Sequence, residues 1–216
     1  MSVDWIPADW PAPETVVAGT TLRSGGIASL DLPGEPCWLN QVHGAHVIAT
    51  GSYEKPPDAD ASVGRNPGDV CVVRTADCLP VLFCSANGAE VAAAHAGWRG
   101  LAAGVIEATV AKMVHEAGDL LVWLGPAISQ AAFEVGDEVR EAFISRDPGA
   151  TPCFVANDRG RWQADLYELA RRRLRSIGIT DIYGGGFCTF ADNERFFSYR
   201  RNPDCGRMIS FVARRS

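Results

Sequence analysis

The sequence predicts an α/β (α+β) fold, a single domain over residues 1–216 built of mixed β-sheets flanked by helices. Three observations carry that prediction. Apolar runs at 70–75, 79–84 and 120–125 are short, rich in Val and Leu, and bounded by polar turns, as strands buried on both faces are. Two stretches instead repeat apolar residues at helical spacing: Leu101, Val105, Ile106, Thr109 and Met113, then Leu166, Leu169, Ala170, Leu174 and Ile177. No internal repeat or low-complexity linker divides the 216 residues, and 47% hydrophobic content suffices for one large core.

Taken in order, a Pro- and Trp-rich start gives way to an opening strand over 15–22, closed by the loop Arg23-Ser24-Gly25-Gly26. Arg23 reads either as an anion contact, since two glycines let backbone approach a ligand, or as a solvated arginine beside a turn. Residues 37–50 read as two short strands around a His43-Gly44 turn, with Cys37 a buried thiol and His43 and His46 next to small residues. Residues 53–69 read as a loop centred on Asp58-Ala59-Asp60-Ala61-Ser62. Its aspartates suit either turn chemistry or acceptance of a hydrogen bond from a ligating histidine.

The stretch 70–104 organises the chain. Asn87-Gly88 between two apolar runs predicts a two-residue hairpin turn, and paired positions then sum to 175. His95 falls opposite Pro80, and Cys78 points to the same face as His95, within reach of one metal ion. A thiolate and an imidazole converging there suit a metal site or a Cys/His hydrolase pair. Asp77 is read as a general base, a histidine-orienting group or an Asx turn. Cys71 and Cys84 belong to the core.

The elbow His95-Ala96-Gly97-Trp98-Arg99-Gly100 leads into a helix over 101–116. Arg99 sits at its N-terminus, where unsatisfied N–H groups favour negative charge, so an anion is its expected partner. His115 is read as a favourable contact with the other end of the helix dipole. A buried strand at 120–125, a helix over 136–145 with Val139, Ala142 and Phe143 inward, and a loop over 148–158 with Cys153 follow. Asp165 caps the next helix and Gly178 stops it. Its Arg171, Arg172, Arg173 and Arg175 read as a solvated face. Strands at 180–183 and 208–212 flank the Gly184-Gly185-Gly186 loop, and Arg200 and Arg201 of FFSYRR are free to face a site.

Composition excludes several function classes. A net charge of −6 makes nucleic acid and anionic membrane poor partners, and an anionic substrate needs a local arginine cluster. No apolar run approaches the roughly 18 residues of a bilayer span. The start lacks a signal peptide's basic flank and apolar core. Seven cysteines, odd in number and without framework spacing, fit free thiols in a reducing, cytoplasmic compartment. Phosphate-loop and dinucleotide glycine motifs are absent, as is the cytidine-deaminase zinc signature. Four histidines are too few for several copper ions.

Together WLNQVHG (38–44), DADAS (58–62), TADCLPVLFC (75–84), HAGWRGLAAGV (95–105), WLGPAI (123–128), FEVGDEV (133–139), CT (188–189), FFSYRR (196–201) and GR (206–207) resemble the YfiH family. Its members are variously called multicopper polyphenol oxidases, purine nucleoside phosphorylases and peptidoglycan editing factors. The resemblance implies a zinc site made by His43, Cys78 and His95, with one open position. It also implies phosphorolysis of adenosine, inosine, guanosine and methylthioadenosine, and deamination of adenosine, with bound water lowered toward a pKa of ~7. Arg23 and Arg99 are then the candidates to hold phosphate, and Arg99 joins His43, Cys78 and His95 in the catalytic set. The expected partners are a purine nucleoside and phosphate, in a monomer or homodimer. Two departures stand out: only eleven residues separate Gly26 from Trp38, where members carry a longer insert, and 129–132 read Ser-Gln-Ala-Ala in place of Gly-Pro-Cys-Cys.

Four other readings compete. One is a zinc-dependent amide hydrolase editing cell-wall precursors. Another is a metal-free hydrolase with Cys78 as nucleophile and His95 as base. A copper-dependent phenol oxidase and a non-enzyme in which zinc only pins loops complete the set.

Overall fold

A computed structural model describes residues 4–215. The chain opens with β1 (Trp5–Pro7), β2 (Val16–Thr21), β3 (Pro36–Cys37), β4 (Val47–Ala49) and β5 (Ala61–Gly64). The central stretch forms β6 (Val70–Thr75), β7 (Leu79–Ser85) and β8 (Val91–Ala96), then α1 (Trp98–Ala103) and α2 (Val105–Lys112). After it come β9 (Leu120–Leu124), β10 (Glu134–Val135), α3 (Asp137–Ile144), β11 (Phe154–Ala156) and β12 (Trp162–Ala164). Helix α4 (Leu166–Ser176), β13 (Ile182–Gly184) and β14 (Met208–Arg214) close the chain.

The strands form a mixed α/β arrangement of three sheets among the described residues, with orders β13-β9-β7-β8-β5-β4, β1-β2-β14-β6-β3 and β10-β12-β11. Parallel pairs (β13 with β9, β4 with β5, β3 with β6) occur beside antiparallel ones. Alternation along β7 explains its unbroken apolar run. Val81 and Phe83 face α1, α2 and α4, packing with Leu101, Ile106 and Leu169. Leu82 and Cys84 face the five-stranded sheet, packing with Cys71, Val73 and Val212. A strand covered on both sides has no position that tolerates charge.

The hairpin register is as predicted, with Pro80 opposite His95 and Leu82 opposite Ala93. Its turn is not. Ser85 still pairs with Glu90 (Ser85 N–H to Glu90 O, 2.9 Å), so four residues form the loop and Gly88 alone takes a positive φ, 68°. Ser85 donates its hydroxyl to the Asn87 side chain and Asn87 accepts the Ala89 N–H, which stabilises the longer loop. The predicted helix over 101–116 is two helices, broken where Gly104 adopts φ 97°. The expected 53–69 loop contains a strand, because Ala61, Ser62, Val63 and Gly64 are small enough to be wholly buried between β4 and β8.

Asp165 caps α4 as expected, its carboxylate accepting the Glu168 N–H at 2.9 Å. The arginines of α4 are not simply solvated. Arg172 pairs with Asp147, Arg173 with Glu107 and Arg175 with Glu168, and Arg171 donates to the Gly184 carbonyl. His115 lies beyond the end of α2 and contacts the buried Glu90 at 3.1 Å, so its partner is a carboxylate and not the helix dipole. No helix among the described residues is long and apolar enough to cross a membrane.

Candidate active site

Three segments meet at one end of the β7–β8 hairpin. Cys78 immediately precedes β7, and His95 lies in β8 opposite Pro80. His43 sits on the connection between β3 and β4, which belong to different sheets, so this connection passes over the hairpin end. Gln41 holds it there by pairing with the backbone of Arg74: its side chain accepts the Arg74 N–H (2.8 Å) and donates to the Arg74 carbonyl (2.9 Å). One ligand atom from each of His43, Cys78 and His95 lies within 4.8 Å of the others, a group that could hold a metal ion. The two imidazole rings stand edge-on, with centroids 4.8 Å apart.

Asp60 organises this group. It is wholly buried, and Oδ1 lies 2.9 Å from His95 Nδ1. The same carboxylate accepts the backbone N–H groups of Val42 (3.2 Å), His43 (2.9 Å) and Gly44 (2.7 Å). One buried anion thus fixes the ring of one histidine and the turn that carries the other, where His43 adopts φ 61°. Burial works against its ionisation, but the His95 contact and the N–H donors hold its pKa below the ordinary value. With Nδ1 engaged, His95 turns Nε2 toward Cys78 and His43.

The thiol and the imidazole perturb each other. Burial pushes Cys78 up, yet contacts with His43 and His95 outweigh it and lower its pKa to about 6. Burial disfavours the charged form of His95, but Asp60 and Cys78 raise its pKa to about 9. In the absence of a metal, each partner therefore favours the charged form of the other, thiolate beside imidazolium. Cys71 and Cys84, buried without such partners, are pushed up to about 12. Gly97 makes room for the sulfur: a Cβ built there would lie 2.8 Å from Cys78 Sγ and 3.6 Å from the His43 ring.

The cluster opens into a cavity of about 860 Å³. Arg99, expected from sequence to contact an anion, lines it with Arg74, Arg200 and Arg207. Trp98, Phe133 and Tyr199 add aromatic surface. Arg23 does not line it; its guanidinium donates to the Asn193 carbonyl and lies 5.3 Å from the Phe197 ring centre. Arg201 is likewise turned away, donating to the carbonyls of Thr189, Phe190 and Phe196. His46 stands apart from the group, with Nδ1 2.7 Å from the Asp58 carbonyl.

Asp77 borders the cavity but neither orients a histidine nor has a free oxygen. Oδ1 accepts the Thr189 hydroxyl (2.6 Å), while Oδ2 accepts the Ser198 hydroxyl (3.0 Å) and the Arg200 N–H (2.7 Å). It therefore ties the segment bearing Arg200 to the loop bearing Cys78, from a backbone at φ 89°. Of the two readings offered for the aspartates of 58–62, acceptance of a hydrogen bond from a histidine of the donor group holds for Asp60, while Arg74 and Arg207 are the residues whose parts the sequence reading left unassigned. The signal for Arg74 was a lone charge near the end of an apolar strand.

The family described as multi-copper polyphenol oxidoreductase laccase matches residues 19–215. A purine nucleoside phosphorylase of Pseudomonas aeruginosa is 48% identical over 236 residues, covering 96% of this chain and 97% of that protein. Purine nucleoside phosphorylase YfiH of Escherichia coli is 46% identical over 237 residues, with the same coverage. A crystal structure of a Neisseria meningitidis protein superposes with a TM-score of 0.94 at 40% identity, covering 99% of this chain and all of that one. YlmD from Geobacillus stearothermophilus superposes with a TM-score of 0.89 at 25% identity, over 100% of this chain and 98% of that one. The sequence alignments are longer than the 216 residues of this chain, so these relatives carry residues that it lacks. None of residues 27–37, the segment read as shortened, lines the cavity; Ile27, Leu30 and Leu32 pack on the outer face of the five-stranded sheet.

Proposed function

The chain belongs to the multi-copper polyphenol oxidoreductase laccase family, and from that membership we propose that it is a zinc-dependent purine nucleoside phosphorylase with adenosine deaminase activity. The observation that carries this reading is the meeting, in one cavity, of a His-Cys-His donor set with four arginines. Two relatives that cover nearly the whole chain are named purine nucleoside phosphorylases, which supports the same reading.

The donor set fits zinc. Cys78 favours the thiolate that a metal needs, Asp60 presets His95, and Gly97 leaves the sulfur its space. Zinc held by His43, Cys78 and His95 would supply a Lewis acid with one position left open to solvent or substrate. Several copper ions do not suit the same residues, because only His43, Cys78 and His95 form a group of three or more donors among the described residues.

The remaining roles belong to the chain's own groups. The guanidiniums that bind phosphate and orient it toward the ribose come from the set Arg74, Arg99, Arg200 and Arg207, in place of the Arg23–Arg99 pair expected from sequence. Trp98, Phe133 and Tyr199 cover the purine and exclude water from it. The proposed substrates are adenosine, inosine, guanosine and methylthioadenosine. We read residues 1–216 as one YfiH-like domain, monomeric or homodimeric, and its seven free thiols as those of a cytoplasmic protein.

Inosine incubated with zinc-loaded protein tests the reading. Hypoxanthine should form only when orthophosphate is present, and Cys78→Ala should abolish both zinc retention and turnover. Zinc-loaded protein that leaves all four nucleosides intact overturns it. Adenosine converted to inosine without phosphate tests the deaminase separately. A second reading, a metal-free cysteine hydrolase, is favoured by the thiolate–imidazolium pair alone. That enzyme would keep its activity after chelation.

A further inference from the structure

Among the described residues, Arg65, Arg159, Arg172, Arg173, Arg175 and Arg195 each pair with a carboxylate. The four arginines lining the cavity pair with none. Their side chains donate to backbone carbonyls, to one thiol or not at all: Arg74 to the Leu39 carbonyl at 3.4 Å, Arg200 to that of Glu134 at 3.1 Å, and Arg207 to the Cys205 carbonyl at 2.7 Å and the Cys205 sulfur at 3.7 Å. Three are braced on aromatic faces, Arg99 on Trp98 (4.4 Å), Arg200 on Phe133 (5.6 Å) and Arg207 on Tyr199 (5.7 Å), which positions a guanidinium without using up its N–H donors. Asp77, the one carboxylate in the lining, already has both oxygens engaged. The wall therefore presents four guanidiniums without a carboxylate partner, opposed in the lining by the single Asp77 carboxylate, in a chain whose net charge is −6.

One orthophosphate dianion neutralises two of these and accepts bidentate bonds from about two guanidiniums. Two guanidiniums then face the remaining space, and about 860 Å³ is room for more than a nucleoside and one phosphate. We infer that the cavity has a second anion subsite, and that its substrates include purine nucleosides bearing their own 5′-phosphate. The inference rests on the nucleoside phosphorylase reading and narrows its substrate class. With inosine 5′-monophosphate the reaction balances as follows. An oxygen of hydrogen phosphate forms a bond to C1′, and the C1′–N9 bond breaks with its electron pair leaving on the base. The proton of hydrogen phosphate passes to the base, giving hypoxanthine and ribose 1,5-bisphosphate.

Calorimetric titration of the zinc-loaded protein with inosine and with inosine 5′-monophosphate, at increasing orthophosphate, separates one anion subsite from two. Two subsites predict that the monophosphate binds roughly ten-fold more tightly than inosine, about 1.4 kcal/mol, and keeps that affinity as orthophosphate saturates. Arg74→Ala, Arg99→Ala, Arg200→Ala and Arg207→Ala should then divide into those that weaken orthophosphate and those that weaken the monophosphate. Equal affinities for the two purines, or displacement of the monophosphate by orthophosphate, overturns the inference while leaving nucleoside phosphorolysis intact. Absence of turnover with inosine fails the parent reading, and the binding titration still counts the anion subsites.

Discussion

Asp60 Oδ1 lies 2.9 Å from His95 Nδ1, and the carboxylate that makes this contact also accepts the backbone N–H of His43. The ring of one histidine of the candidate metal site and the backbone turn of the other are therefore held by one buried side chain that need not touch the ion. Asp60→Asn replaces one acceptor oxygen with an NH₂ group that must face a donor, either the His95 ring or the 42–44 turn. Metal affinity should fall about 10–100-fold, as removal of such supporting groups generally does. Competition against a chromophoric chelator measures it. Unchanged affinity would show that the two histidines hold their places without help.

The Gly97 position yields a second prediction, from space and not from backbone freedom. Its φ of −60° suits any residue, yet a methyl group there would sit 2.8 Å from the Cys78 sulfur. Gly97→Ala must displace the thiol, at a stability cost of about 1–3 kcal/mol, and should weaken metal binding as well. Gly26→Ala is the control: its Cβ meets nothing within 4 Å and its φ of −154° is extended. Thermal unfolding and metal titration of the two variants should separate cleanly, with Gly26→Ala near wild type in both.

How much of this was legible beforehand follows from how far each contact reaches along the chain. Register in the β7–β8 hairpin is a local property, so counting from the turn placed His95 opposite Pro80 and beside Cys78, even though the turn has four residues and not two. Pairing parity survives because Ser85 and Glu90 keep the same sum. Small residues hid β5: Ala61-Ser62-Val63-Gly64 carries little hydrophobic signal, yet small size is what lets it lie wholly buried between neighbours. Asp77 shows the opposite limit. Its partners Thr189, Ser198 and Arg200 lie 112 to 123 residues away, and no periodicity reports such a contact. Arg23 carried an anion-binding signal in its glycine-rich loop, but Phe197 and Asn193 took its guanidinium instead.

At the far end of the hairpin, Glu90 gives a pH prediction. Burial raises its pKa, but His115, the Val114 and His115 N–H groups, and Arg65 outweigh that and hold it below the ordinary value. A carboxylate depressed in the folded state stabilises the protein above its unfolded pKa of about 4.3, and that contribution disappears as pH falls through the folded value. The melting temperature should therefore drop as pH is lowered below about 4.3. Glu90→Gln should cost about 1–3 kcal/mol at pH 7 and flatten that acid limb. An unchanged acid limb in the variant assigns the sensitivity to other carboxylates.

Metal removal should move Cys78 and catalysis in opposite directions. Without metal the thiol has a pKa of about 6, so at pH 7 most of it is thiolate, and it is partly exposed in the cavity wall. Alkylation by iodoacetamide should be fast in chelated protein, with a rate that climbs as pH passes through about 6. Bound zinc should suppress it, because the sulfur's lone pairs are then coordinated. Cys71 and Cys84 should stay unmodified in both states, since each is fully buried with its pKa pushed up to about 12. A zinc enzyme therefore loses turnover in the same titration that uncovers the Cys78 thiolate. A metal-free cysteine hydrolase would keep its activity through chelation and lose it on alkylation, so mass spectrometry of the alkylated peptide, read beside turnover before and after chelation, assigns the sulfur to one role and denies it the other.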